Sequence, residues 1–164
     1  MSKDDFTFYI LNQTTGTKIE FDLVPEEISE SFAASFESQD IMGRTAPIVG
    51  YSSSGPHTVS LNITVHAEME GGIENMKKKI HQLVALTYPV FSGDLLEPPK
   101  CFVRVGNMVG MYGYIESVDV SWEKPYTDMV FRKAEVSLSV NEIRNMADDC
   151  LSASDVESGG IFQI

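Results

Sequence analysis

The chain has 164 residues, 43% of them hydrophobic, which fits one domain with a buried core and leaves little room for two. Twenty-four acidic against twelve basic residues give a formal net charge of -12, and the basic residues are scattered apart from Lys77, Lys78 and Lys79. That balance argues against direct binding along a nucleic-acid backbone, which needs a basic stripe able to release counterions. Cys101 and Cys150 are the only cysteines. They lack metal-ligand spacing, so reduced thiols and assembly in the cytoplasm are the default expectation, and their later pairing is left open. The start "MSKDDFTFYIL" lacks the pattern of a secretory signal, and no apolar run approaches the roughly 18 residues that span a bilayer, so a soluble chain with no membrane insertion is expected.

In chain order, "FTFYIL" (Phe6 to Leu11) and "KIEFDL" (Lys18 to Leu23) are aromatic and β-branched runs joined by a polar loop with a glycine, which predicts a hairpin. After Pro25, the shared parity of Ile28, Phe32, Ala34 and Phe36 predicts a half-buried strand, broken on its apolar face by Glu30. Gly43 to Gly55 reads as a long loop. Its Pro47, Ile48, Val49 and Tyr51 are too ordered and apolar for a linker, so this loop, with Arg44, is expected to reach a neighbouring subunit. The clearest strand follows, with Val59, Leu61, Ile63 and Val65 alternating with Thr58, Ser60, Asn62, Thr64 and His66. One face is core and the other is wet, which places His66 in solvent or an interface.

Past Gly71-Gly72 the period changes. Ile73, Met76, Ile80, Leu83 and Val84 recur at helical spacing up to Pro89, with Glu74, Lys78, His81 and Gln82 opposite and the lysine triplet on a solvated face. "VFSGDLLEPPK" reads as a loop that delivers the chain to a short strand from Cys101. "GYIESVDVSW" places Val118, Val120 and Trp122 on one parity, and "KAEVSLSVNEI" does the same for Ala134, Val136, Leu138 and Val140, so a long hairpin is expected. The fold class is therefore α+β, mainly β: an antiparallel β-barrel or sandwich with one amphipathic helix packed on it. Residues 1–146 form the β-rich domain. Residues 147–164 are an acidic tail or a docking arm whose Ile161, Phe162 and Ile164 meet a neighbour.

Catalytic constellations are missing. The chain has no phosphate-cradling GxxxxGK[ST], no GxSxG, no HExxH and no paired CxxC, so no catalytic, cofactor-binding or metal residue is assigned and an enzyme is not expected. "GNMVGMYG" lies between strand-like segments, where Gly106, Gly110 and Gly113 suit a turn, a bulge or a close strand approach. His57, His66 and His81 show no ligand grouping.

The order hairpin, "VPEEIS", strand, "IMGRTAP", Tyr51, alternating strand, helix ending in "LTYP", "PKCFVRVG", "GYIESVDVSW" and closing strand resembles one family. It is similar to the tube-forming and baseplate-hub proteins of contractile phage tails and related contractile injection systems, whose longer members carry a C-terminal LysM domain. The resemblance covers roughly Phe6 to Ile143. It implies a tail-tube-like or hub-like fold and a non-enzymatic virion tail component, assembled in the host cytoplasm. It further implies a homo-oligomeric ring of six-fold or three-fold symmetry that links the central tube or spike to surrounding hub and wedge proteins. The chain ends about twenty residues after its last strand, too few for a LysM module, so that module's function is not carried over. Two other readings stand beside this one. The first is a carbohydrate- or protein-binding β module with Tyr112, Tyr114, Trp122 and Tyr126 as an aromatic platform. The second is a hydrolase whose carboxylates meet in space.

Overall fold

The first expected hairpin forms from β1 (Phe8–Asn12) and β2 (Thr17–Phe21) in the computed structural model, which describes residues 8–92, 95–124 and 129–143. Asn12 shapes its loop: the side-chain oxygen accepts from the Thr14 and Thr15 amides at 2.9 and 3.2 Å. Gly16 completes the turn at φ +71°, a left-handed position that glycine occupies without steric cost.

Seven strands make one antiparallel sheet. Besides the first two these are β3 (Glu27–Ser31), β6 (Thr58–His66), β9 (Cys101–Val105), β10 (Val109–Trp122) and β11 (Lys133–Glu142), in the order β2-β1-β9-β10-β11-β6-β3. The one helix among the described residues, α1 (Ile73–Ala85), adds Met76, Ile80 and Leu83 to the core, and Leu86, just beyond the helix, is buried as well. The chain is thus mainly β with one helix on an antiparallel sheet. Of the two architectures expected, the closed barrel does not form, because the sheet ends on β2 and β3.

Six strand spacings make the sheet roughly 29 Å wide, against a helix roughly 10 Å across. One helix cannot cover such a face. Yet Phe8, Ile10, Ile19 and Phe21 at one side and Val59, Leu61, Ile63 and Val65 at the other are all buried. The sheet must therefore curl over the helix and onto itself, in a sandwich-like manner, and the stacked Phe8 and Phe21 rings, 4.6 Å apart, fill one end of that fold.

A bulge in β10 supports the curl. Val109, Met111 and Ile115 are buried on odd positions, but between Ile115 and Ser117 the register shifts, and Val118 and Val120 then pack against the core on even positions. The extra residue, Glu116, accepts a hydrogen bond from Asn141 Nδ2 at 2.9 Å, while Asn141 Oδ1 accepts from Thr58 Oγ1 at 2.7 Å. One buried amide thereby ties β10, β11 and β6 together.

Several expectations change. The strand expected to run on from Ile28 breaks at Phe32 and Ala33. Ile28 packs against the core, whereas Phe32 and Phe36 are 56% and 63% exposed, because the chain leaves the sheet as β4 (Ala34–Gln39). The segment read as a long loop contains a strand, β5 (Ile48–Ser54), paired antiparallel with β4. "VFSGDLLEPPK" likewise carries a short hairpin, β7 (Val90–Ser92) with β8 (Leu95–Glu97). Both hairpins pair only within themselves, which makes them strands despite their punctuating Pro and Gly. Lys79 leaves the solvated triplet: it is half-buried, ion-pairs with the buried Glu70 and lies 5.8 Å from the Phe21 ring. Thr64 leaves the wet parity too, since it is buried and donates to Glu26 Oε1 at 2.6 Å.

Candidate assembly surfaces

The β4–β5 hairpin projects as an arm. From Phe32 to Ser54 every residue is exposed. At its tip, Arg44 N–H donates to Ile41 C=O at 3.1 Å, closing a four-residue turn in which Gly43 takes φ +91°. This turn leaves Arg44 exposed at the far end of the arm.

Register then sorts the arm into two faces. Phe36 stands opposite Tyr51, their rings edge-on at 5.8 Å, and Val49 stands opposite Ser38 on the same side. Phe36, Val49 and Tyr51, each more than 60% exposed, form a small apolar face. Ile48 lies on the other side, opposite Gln39. The structure thus gathers Arg44, Pro47, Ile48, Val49 and Tyr51 on one arm, and it adds Phe36, whose period-two pattern had suggested the core. Ile161, Phe162 and Ile164 lie outside the described residues.

A second surface covers the outer side of β3, β6, β11 and β10. Pairing aligns Ser29, Ser60, Ser139 and Ser117 in one row across the four strands. The next row holds Glu27, Asn62, Ser137 and Asp119, and beyond it stand Glu135 and Ser121, with the buried Thr64 covered by Glu26. No large apolar or basic side chain enters these rows. Such a face stays hydrated and repels polyanions.

A group of charged side chains gathers at one end of the sheet. A cleft of about 390 Å³ is lined by His66, Glu68, Glu123, Lys124, Arg132 and Lys133. Lys133 Nζ contacts Glu123 at 2.7 Å and Glu135 at 3.4 Å, and Arg132 contacts Glu68 at 3.4 Å. The hydrogen bond from Lys133 holds the Glu123 carboxyl below the usual range, and the same contact raises the lysine. Each carboxylate here already has a cation, so none is poised as a general acid. Among the described residues, no group of three His, Cys, Asp or Glu could hold a metal ion.

The aromatic platform does not assemble. Tyr112 and Tyr114 lie on the outer parity before the bulge, with Tyr112 OH donating to Gln13 Oε1 at 2.6 Å. Trp122 follows the parity of Val118 and Val120 after the bulge, ten residues and roughly 33 Å further along the strand. It tilts against Phe131 at 6.0 Å instead, and Tyr126 lies outside the described residues.

Burial of Cys101 pushes its thiol up to about 11. With Cys150 replaced by serine, the remaining thiol is expected to resist a thiol reagent at pH 8 and to react promptly in urea; prompt reaction of the native protein would contradict its burial. An unfolded thiol ionises near 8.5, so this group's contribution to stability is present below that value and declines as pH rises toward about 11.

No protein-family model and no curated protein matches the chain. Among solved structures, it is similar to a chain of the tail of an empty gene transfer agent particle with C6 symmetry, at 13% identity and a TM-score of 0.43, over 88% of this chain and 96% of that one. It is also similar to a chain of the virion of a native gene transfer agent particle, at 12% identity and a TM-score of 0.41, over 88% and 95%. Likenesses at this level assign no function to the chain.

Proposed function

We propose that this chain is a structural, non-enzymatic subunit of a phage-type tail, in the baseplate of a contractile tail or related injection system. Copies join head to tail in a closed ring of six or three that links the central tube or spike to surrounding baseplate proteins. The observation that carries the reading is the arm: a hairpin that adds nothing to its own subunit's core and exposes Phe36, Val49 and Tyr51. An isolated two-stranded hairpin is marginal in water, so an arm of this kind suits a partner that covers it. A patch that meets a different patch on the next copy generates a ring when the rotation closes. The hydroxyl and acidic rows are suited to line the lumen, where a passing polyanion must not stick. The order of sequence motifs supports the same reading. In it, residues 1–146 build the subunit, and the tail of residues 147–164 supplies a second contact through Ile161, Phe162 and Ile164.

Arg44→Glu is expected to leave the subunit folded and to weaken assembly at least tenfold, read as particle mass by light scattering and as rings by electron microscopy. Particles made only of monomers in the unmutated protein, with no incorporation into tails, would refute the proposal.

A further inference from the structure

The arm is rooted on a histidine whose surroundings are unusual. His57, just before β6, is 4% exposed, and its Nε2 is buried with no hydrogen-bond partner. Phe32, the first residue past β3, stacks on the imidazole with ring centres 4.2 Å apart and planes 7° from parallel. Two carboxylates from different strands flank the ring. Glu30 Oε2 of β3 lies 3.8 Å from Nε2, and Glu142 Oε2 of β11 lies 3.7 Å from Nδ1. Two titratable groups of β10, Glu116 and Tyr114, contact Asn141, the neighbour of Glu142 on β11. Among the described residues no cation is paired with Glu30, and the backbone holds this cluster in place, because Glu142 N–H donates to His57 C=O at 2.9 Å and Gly55 N–H to Ala33 C=O at 2.7 Å.

A neutral imidazole carries one N–H, so it can satisfy one carboxylate at most; an imidazolium donates from both nitrogens. Distances of 3.7 and 3.8 Å fall short of hydrogen bonds and within reach of them after a shift of about 1 Å. We propose that His57 is a proton-operated latch at the root of the arm. Protonation draws Glu30 and Glu142 onto its two nitrogens, clamps β3 to the end of β11, and fixes the direction in which Phe32 and the arm leave the sheet. Loss of the proton leaves Nε2 unpaired and frees the root to swing. The latch is closed while the imidazole carries both N–H protons and open once one has left. The consequence for assembly rests on the arm being a subunit contact, but the latch itself is a property of one subunit.

Hydrogen exchange on the dilute full-length protein, corrected for the intrinsic pH dependence, tests it. Amides of residues 28–34 and 52–57 are expected to exchange about tenfold more slowly at pH 5.5 than at pH 7.5, the value of one charge-assisted contact. His57→Gln should abolish that difference. Glu30→Gln, in case the first variant folds poorly, should reduce it severalfold, whereas His66→Gln and His81→Gln should leave it unchanged. Equal protection at both pH values, or a difference that survives in His57→Gln and in Glu30→Gln, overturns the latch. Light scattering of the same samples separates the two ideas: a latch with no oligomer retires the assembly reading alone, and pH-independent rings with an unprotected root retire the latch alone.

Discussion

Gly113→Ala is expected to destabilise the protein by about 3 kcal/mol, among the largest single-residue effects in the chain. Gly113 pairs with Cys101 on one side and Glu142 on the other, in the middle of the sheet. A Cβ built there would fall 2.0 Å from the Asn141 carbonyl oxygen, 2.8 Å from its carbon and 3.2 Å from Glu142 Cα. All three are backbone atoms of β11, so no side chain can rotate away; the ladder itself has to open. The same strand residues hold the Asn141 tie to Thr58 and Glu116, so the damage spreads to β6. With a urea slope of about 2 kcal/mol per molar, the midpoint should fall by roughly 1.5 M without a change in slope. Gly50→Ala is the control, since its Cβ would meet only the Glu37 carbonyl oxygen at 4.0 Å. Equal midpoints for the two variants would remove the steric argument.

The second large effect falls on assembly and spares stability. Val49→Asp with Tyr51→Asp places two charges on the apolar face of the arm, opposite Ser38 and Phe36. If a neighbour covers that face, each substitution strands an unpaired carboxylate in a desolvated contact, and affinity is expected to fall at least a hundredfold. The arm lies outside the core cluster, so the urea midpoint should move by less than about 0.5 kcal/mol equivalent. Sedimentation and denaturation of the same preparation read the two quantities. Rings that persist with the double substitution would exclude this face as the contact.

How far the sequence disclosed all this depends on which physical signal each segment carries. Strands with one buried face announce themselves by alternation, and Val59 to Val65 and Ala134 to Val140 are buried as that period demands. The helix is equally plain because Met76, Ile80 and Leu83 follow its turn. Phe36 misled for a reason that belongs to the same rule: an apolar residue at the right parity marks a surface to be covered, and the covering element need not belong to the same chain. Ile48 to Ser54 lacked a clean alternation, with Gly50 and three serines interrupting it, so its pairing with β4 was hidden. His57 was invisible as a buried group because burial there comes from Phe32 and two carboxylates that converge only in space. Arg44, Pro47, Ile48, Val49 and Tyr51 could be grouped from the sequence because they are neighbours along one turn-rich stretch, and the structure keeps them exposed on one hairpin.

The bulge at Glu116 has a consequence for how such a chain can change over generations. Up to Ile115 the core reads the odd residues of β10, and from Val118 it reads the even ones. Losing Glu116 would join Ile115 to Ser117 in one regular alternation, with Val118 and Val120 still inward, so the bend would go and the register would stay. The length of β10 can thus change at the bulge without turning its core residues outward. The tip of the arm, which touches no core and sets no register, is where insertions and deletions can accumulate and where related chains can acquire different neighbours.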